Sequence, residues 1–458
     1  MTKSQGYKGI YATHKYWGKK PPELCEKIIT NFTNSGDLIL DPFMGSGVLG
    51  SVCKEKKRQF IGADINPCAL NIAKVFISPP DQLIVQKIIN NLSKETETKI
   101  RGLYKTFSGE EVTHIVRNQA NIEEVWIKDG RKTCLYEENL DFLEKNLLLD
   151  DPKFLDEVLT KNSRINISKN QKVSSLFTQR ALKSIEILLT AINKLEKEER
   201  EISLYILTSA IGQMSKMVFA IKRRKNTNDP RKYEVGSWVI GYWKPKVFFE
   251  INVWRVFIGR ANKLLKAVNK NKNKNKNKNK NKLEKYINLN LKDGFELLEE
   301  ISNSKTNIDL IVTDPPHNDR IPYLELSAMW NTILSKTPEY QKEWVLSNAL
   351  ERNKRHEQYS DCLLNFFKLS AKILNKEGFL ILLFNTVDQN IWGKLKEYPK
   401  NFGLNFVGKF PGEYSANSVV QDNRKGSLKY DWCLVYSNNL ETSKDFNSIE
   451  GWTTEWNK

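Results

Sequence analysis

The fold is decided by Ile308-Asp309-Leu310-Ile311-Val312-Thr313-Asp314-Pro315-Pro316-His317. A run of β-branched and aliphatic residues, too short for a helix and closed by Pro-Pro, reads as a buried strand. Its carboxyl end delivers one carboxylate and a proline-locked turn into a crevice, and that is where open α/β sheets bind ligands. The turn exposes acceptors and few donors, chiefly the Asp314 side chain and the Pro315 carbonyl. Such a pair suits holding an amino group by its two hydrogens. Taken alone, the stretch would read as a strand ending in an ordinary Pro-Pro turn, so the meaning of Asp314 depends on the rest of the chain.

Upstream, Pro21-Pro22 suits a helix start, and Leu24, Ile28, Ile29 and Phe32 follow at helical spacing. Ser35-Gly36-Asp37 turns into a short apolar strand, 38–40, that ends at Asp41. Asp41-Pro42-Phe43-Met44-Gly45-Ser46-Gly47 leads into a helix over 48–57, and a second strand, 60–63, ends at Asp64. A further helix begins at Asn66-Pro67 and reaches about Phe76. Strand, glycine turn, helix, strand and acid make the first half of a doubly wound nucleotide-binding fold. The dinucleotide pattern GxGxxG is absent. An acid before the turn, Asp41, repels a pyrophosphate but welcomes an ammonium group, while Asp64 at the second strand tip is placed for ribose hydroxyls. A cofactor with an amino-acid end and a ribose, S-adenosylmethionine, satisfies both.

Pro79-Pro80 interrupts the alternation, which resumes near Tyr286. From there a strand at 287–291, Lys292-Asp293-Gly294 and a short helix lead to the Asp314 strand. Helices follow over 323–334 and 362–374, then a strand over 379–384. Segments 404–410 and 430–436 read as an antiparallel hairpin at the sheet edge. The expected organisation is therefore a doubly wound α/β domain in two parts, 1–78 and 283–458, around an inserted region, 79–282.

Within the insertion, 123–136 reads as a hairpin around Asp129-Gly130, and 176–195 and 201–220 as amphipathic helices. Next come Lys222-Arg223-Arg224-Lys225 and an aromatic, basic stretch over 232–255. There Trp238, Tyr242, Trp243, Phe248, Phe249 and Trp254 interleave with Lys244, Lys246 and Arg255. This is either a groove that tracks phosphates and offers stacking surfaces or the insertion's own small core with a solvated basic side. The Asn-Lys repeat from Asn269 to Lys282 has nothing to bury and reads as a disordered linker.

The chain carries a net charge of +18; the seven lysines of the repeat supply seven of these charges and leave +11. A polyanionic partner, nucleic acid first, follows from that balance, although Lys- and Asn-rich composition also arises from AT-rich genomes. No apolar run is long enough for a membrane span, and the first residues lack a signal peptide's apolar core. The six cysteines are scattered without a CxxC pair, as expected of reduced thiols in the cytoplasm rather than of a zinc site.

With these segments in hand, the chain resembles the amino-group DNA methyltransferases, which methylate adenine N6 or cytosine N4. The resemblance lies in HKYWGKKP (14–21), DPFMGSG (41–47), GADIN (62–66) and TDPPH (313–317), with IPYLELSAMW (321–330) and the segment from Ser175 to Trp254 also familial. It implies a Rossmann-like α/β fold with a mostly parallel sheet, a C-terminal antiparallel hairpin and a large, mainly helical insertion that recognises the target. It implies that Asp41, Pro42, Phe43, Gly45 and Gly47 hold the methionine end of S-adenosylmethionine. Asp64 and Ile65 would lie at the ribose, Asp293 near the adenine ring, and Lys19 and Pro21 would close over the cofactor. Asp314 and Pro315 would hold the target amine, with Pro316 and His317 completing the turn. His317 stands where the family carries Tyr, Phe or Trp to stack on the flipped base, and Tyr323 is the rival platform. The insertion precedes the Asp314 strand rather than following it. It also lacks the cysteines of related zinc ribbons, so no metal is expected. Double-stranded DNA is the implied partner, with restriction or defence subunits as further candidates. An adenine target is favoured because the cytosine enzymes more often carry Ser at the turn. The rivals are a cytosine N4 enzyme, an RNA methyltransferase of the tRNA guanosine N2 type, and an inactive DNA-binding subunit.

Overall fold

The structure is a computed structural model and describes residues 7–129, 132–136, 155–161, 165–224, 229–238, 241–274, 286–316, 321–345, 356–386, 388–412, 431–439 and 446–456. The chain forms two compact units, one made of 1–79, 275–324 and 338–458, the other of 80–274 and 325–337. In chain order, the first unit opens with strands β1 (Leu38–Asp41) and β2 (Gln59–Asp64). The second unit supplies β3 (Val112–Asn118), β4 (Asn121–Asp129), β5 (Lys132–Tyr136), β6 (Val218–Lys222), β7 (Tyr233–Trp238) and β8 (Val247–Ile251). The first unit is completed by β9 (Ile287–Leu291), β10 (Ile308–Thr313), β11 (Leu374–Phe384), β12 (Asn405–Gly412) and β13 (Asp431–Ser437).

The sheet of the first unit has the order β12-β13-β11-β10-β1-β2-β9. Pairs from β11 across to β9 are parallel, whereas β13 is antiparallel to both neighbours and so runs against the other six strands. This is the expected Rossmann-like methyltransferase sheet with its C-terminal hairpin. β10 lies between β11 and β1, and Asp309, its second residue, ties it to both. The Asp309 carboxylate accepts the Leu38 N–H at 2.8 Å on one side and the Asn375 amide on the other. That pins the start of each neighbour and sets the register Ile39↔Leu310 and Leu40↔Ile311. β10, β1 and β2 lie side by side, so Asp314, Asp41 and Asp64 come out in a row at one sheet edge. The chain leaves β1 toward β2 on one side and meets β10 on the other, which makes this edge a topological switch point.

The core against one face is rich in aromatics. Leu363, Phe366 and Phe367 of the helix His356–Ile373 pack with Leu380, Leu382 and Phe384 of β11 and with Leu297, Leu298 and Ile301 of the helix Gly294–Ser304. The helix Pro22–Phe32 begins with proline at its first position, as expected, and buries Leu24, Cys25, Ile28, Ile29 and Phe32. Phe32 stacks on Phe446 at 4.7 Å between ring centroids.

The second unit holds an antiparallel sheet in the order β5-β4-β3-β8-β6-β7 and the helices Gln82–Leu92, Gln179–Asn193, Lys197–Ile211 and Val253–Lys274. The hairpin foreseen at 123–136 is β4 paired with β5, but the full sheet was not legible. Residues 218–220, expected at a helix end, lie in β6. The helical reading of 201–220 holds as far as Ile211 and fails at its end, because Val218, Phe219 and Ile221 are β-branched or aromatic and sheet pairing claims them once β7 and β8 are alongside. Arg117 of β3 and Arg180 converge on Glu250 of β8 at 2.6 and 3.0 Å, a buried charge cluster inside this unit. Asn269 to Lys274 of the Asn-Lys repeat continue the helix Val253–Lys274 rather than forming linker; the remainder of the repeat lies outside the described residues. No helix among the described residues is long and apolar enough to cross a membrane.

Candidate active site

Three strand ends build the site. Asp41 is buried, and its Oδ1 accepts the Phe43 N–H at 3.1 Å and the Thr313 hydroxyl at 2.8 Å. Burial pushes its carboxyl up to about 7, against the pull of those two donors. Asp64 reaches across from β2 and accepts the Gly45 N–H at 2.9 Å on Oδ2 and the Asn66 N–H at 2.8 Å on Oδ1. Its carboxyl is pushed up to about 6, again by burial. Asp64 thus shapes the glycine turn as well as facing the cleft. Gly47 sits at φ +73°, and a Cβ there would lie 2.6 Å from the Ala73 Cβ, so the turn packs directly on the helix Pro67–Ile77.

The turn after β1 meets the loop after β9. A Cβ on Gly294 would lie 2.6 Å from the Pro42 carbonyl and 2.9 Å from the Phe43 ring, so that close approach needs glycine. Asp293 caps the following helix through the Phe295 N–H at 2.6 Å, and burial raises its carboxyl. Phe43 gathers an aromatic wall with Trp344 at 5.3 Å and Phe295 at 6.2 Å between centroids. One cleft is lined by Asp41, Pro42, Phe43, Gly45, Asp64, Ile65, Asp293 and Gly294, together with Tyr16, Lys19, Lys20, Asp314, Pro316 and Tyr323. These residues fit S-adenosylmethionine. Two buried carboxylates raised by desolvation are what an ammonium would relieve, and an aromatic wall stands beside the Gly294 approach for a flat ring.

At the other end of the cleft, Lys20 holds Asp314. Its Nζ lies 2.7 Å from Asp314 Oδ2 and 2.8 Å from Asp431 Oδ2. Burial alone would lower this ammonium, but the Asp314 and Asp431 carboxylates outweigh it and hold it well above the ordinary lysine range. The Pro-Pro turn is anchored by the Tyr359 hydroxyl, which donates to the Pro316 carbonyl at 3.0 Å. Tyr16 stacks on Tyr323 at 6.3 Å, beside the same carboxylate.

Of the residues singled out in the sequence, Pro21, Gly47 and Pro315 are not among those lining the cleft. Pro21 precedes the helix Pro22–Phe32 as its N-cap. Lys19 is a lining residue, but its ammonium is directed onto the Tyr11 and His14 carbonyls at 2.6 and 3.1 Å. His317 lies outside the described residues. Sequence reading chose Lys19 within GKKP and passed over Lys20 and Asp431. Two adjacent lysines carry no sign of which one turns inward, and Asp431 opens a strand more than a hundred residues from its partners.

A model of a family described as DNA methylase matches residues 2–75. Among curated proteins, 97 residues are 34% identical to the Type II methyltransferase M.MjaII of Methanocaldococcus jannaschii, covering 21% of this chain and 18% of that one. Fifty-six residues are 48% identical to the Type II methyltransferase M.HpaI of Haemophilus parainfluenzae, covering 12% and 18%. Sixty residues are 48% identical to M2.DpnII of Streptococcus pneumoniae, covering 13% and 22%. The matches thus span about a fifth of these relatives' lengths. A solved methyltransferase from Agrobacterium tumefaciens overlaps 41% of this chain and 52% of its own at TM-score 0.19 and 10% identity, too slight a likeness to add to the strand order. Over the matched segment, which carries GKKP, the glycine turn and Asp64, the chain is similar to the DNA methylase family.

Proposed function

We propose that this protein methylates DNA, moving a methyl group from S-adenosylmethionine to the exocyclic amine of a flipped base, adenine N6. The observation that carries this reading is that Asp41 and Asp314, at the ends of adjacent strands, line one cleft. Asp41 suits the cofactor's ammonium, and Asp314 suits the amine that receives the methyl.

Asp41 and the glycine turn would seat the cofactor's amino-acid end. Asp64 keeps acceptor capacity for ribose hydroxyls beyond its two backbone contacts, since a carboxylate offers about four acceptor positions. When bound, the cofactor supplies an electrophilic methyl on a sulfonium.

The chain's own part concerns the amine. An exocyclic amine is a poor nucleophile because its lone pair is delocalised into the ring. Asp314 and the Pro315 carbonyl would accept its two hydrogens, favour pyramidal nitrogen and localise that pair. The new N–C bond forms as the S–C bond breaks, a displacement helped mainly by positioning. The proton that the methylated nitrogen sheds can pass through the Asp314 carboxylate to water. For the base to reach Asp314 it must leave the duplex, and Tyr323, stacked on Tyr16 beside Asp314, offers an aromatic platform next to the turn.

Incubation with tritiated cofactor and either DNA or RNA, followed by nucleoside analysis, tests the proposal. Label in N6-methyladenine of DNA is expected. Label in N4-methylcytosine would move the target base, label in RNA would move the substrate, and no transfer would leave the inactive-subunit reading.

A further inference from the structure

The aromatic, basic stretch over 232–255 divides once its burial is known. Trp238, Tyr242, Phe248, Phe249 and Trp254 are each 8% exposed or less and belong to the core of the second unit. Trp243 is 42% exposed. Its outward placement is built in, because the preceding residue is held in an unusual way. Tyr242 has a positive φ of +60°, a backbone state L side chains rarely adopt. Its buried hydroxyl lies 2.8 Å from the Leu326 carbonyl and accepts the Met329 N–H at 3.3 Å. With Tyr242 pinned inward and the backbone turned left-handed, the next side chain is carried to the surface. Strain held by a buried anchor is a mark of functional segments.

The neighbours of Trp243 are cations. Lys244 and Lys246 are exposed on either side of buried Pro245, and neither has an ion-pair partner among the described residues. Behind them, Lys216 is partly buried and its ammonium is pushed down, first by burial and then by the charge of Lys244. Phe219 backs the Trp243 ring at 6.5 Å between centroids. An aromatic face in water beside uncompensated positive charge fits a partner with phosphates and flat bases.

We propose that Trp243, Lys244 and Lys246 form a contact with duplex DNA, in which the indole packs against base or sugar and the lysines take phosphates. This rests on the DNA reading above and assigns a part of the partner-binding surface to named residues.

The test measures duplex binding by the full chain across a salt series for wild type, Trp243→Ala, Trp243→Phe and Lys244→Ala/Lys246→Ala, with methyl transfer followed in parallel. Trp243→Ala is expected to weaken binding about ten-fold or more, by analogy with removal of one stacked base, without changing the salt slope. Trp243→Phe should keep most of the affinity. The double lysine variant should flatten the slope by about 0.9 for each phosphate it no longer neutralises. Wild-type methylation of DNA with all three variants binding like wild type overturns this inference and leaves the function reading intact. Wild type that neither binds nor methylates DNA overturns both. Tighter binding to RNA, abolished in the same variants, overturns the duplex assignment and makes this an RNA surface.

Discussion

In the proposed reaction Asp314 acts on the amine and Asp41 and Asp64 act on the cofactor, and single substitutions separate the two roles. Asp314→Ala is expected to abolish methyl transfer while leaving cofactor affinity intact, as read by single-turnover rates and calorimetry; retained turnover would refute the amine-holding role. Lys20→Met leaves part-buried Asp314 and buried Asp431 without the ammonium that lies between them. Urea denaturation should show destabilisation on the order of 2–3 kcal/mol, below the full cost of breaking a wholly buried pair because these groups keep some solvent exposure. Lys20→Arg should recover part of it. The raised carboxyls of Asp41 and Asp64 set a pH dependence whose sign can be worked out. Each binds a proton more tightly folded than unfolded, so their contribution to stability is fully present below about pH 4, the unfolded carboxylate value. It is lost as pH rises through about 6 and 7, the folded values. A cationic cofactor prefers the ionised carboxylates, so its affinity should climb over that same interval and its binding should release protons. Calorimetry in buffers of different ionisation enthalpy checks this, and an affinity flat between about pH 5 and 8 would detach the ammonium from Asp41.

The elements show where sequence reading succeeds and where it stops. The central strands of the first unit announced themselves by short apolar runs, and three of them announced their carboxyl ends by an aspartate. Local chemistry decides such features: burial on both faces selects the aliphatic run, and a polar residue marks where the strand emerges. The glycine turn between β1 and its helix was equally plain, and Gly47 makes its rigidity testable. Gly47→Ala forces an L side chain at φ +73° and a Cβ into Ala73, so it should cost about 1–3 kcal/mol and lower cofactor affinity. A melting curve unchanged from wild type would mean the turn relaxes freely. By contrast, the first three residues of β6 were read as a helix end because Val218, Phe219 and Ala220 have the same composition as a helix's buried stripe. Its partners, β7 and β8, come later in the chain, so no local window contains the information.

At the scale of the whole molecule, charge needs to be sorted by what each residue touches. Arg223 is committed to Asp229 and Glu234, each at 3.2 Å, and to the Tyr233 carbonyl, whereas Lys222 and Arg224 are exposed. Arg223→Ala should therefore destabilise the β6–β7 hairpin and leave the salt slope of DNA binding unchanged. Lys222→Ala/Arg224→Ala should flatten that slope by up to about 0.9 for each phosphate left without its cation. Lys225 lies outside the described residues. Shortening the Asn-Lys repeat beyond Lys274 should leave methyl transfer at moderate salt nearly unchanged. A slope that falls with the repeat and not with Lys222 and Arg224 would reverse the assignment.

The sequence by itself determined the sheet that carries the site, the aspartates at its strand ends and the chemistry those ends suit. All of these depend on neighbours a few residues away, on alternation of strand and helix, and on motifs that are contiguous. Only the tertiary structure decided which lysine of GKKP meets Asp314, that Asp431 completes the pair, and which aromatics of 232–255 are core. A lysine's direction depends on where two carboxylates, one almost three hundred and one just over four hundred residues away, come to rest. An aromatic's exposure depends on whether some distant surface covers it, as Leu326 and Met329 meet the Tyr242 hydroxyl while Trp243 stays 42% exposed.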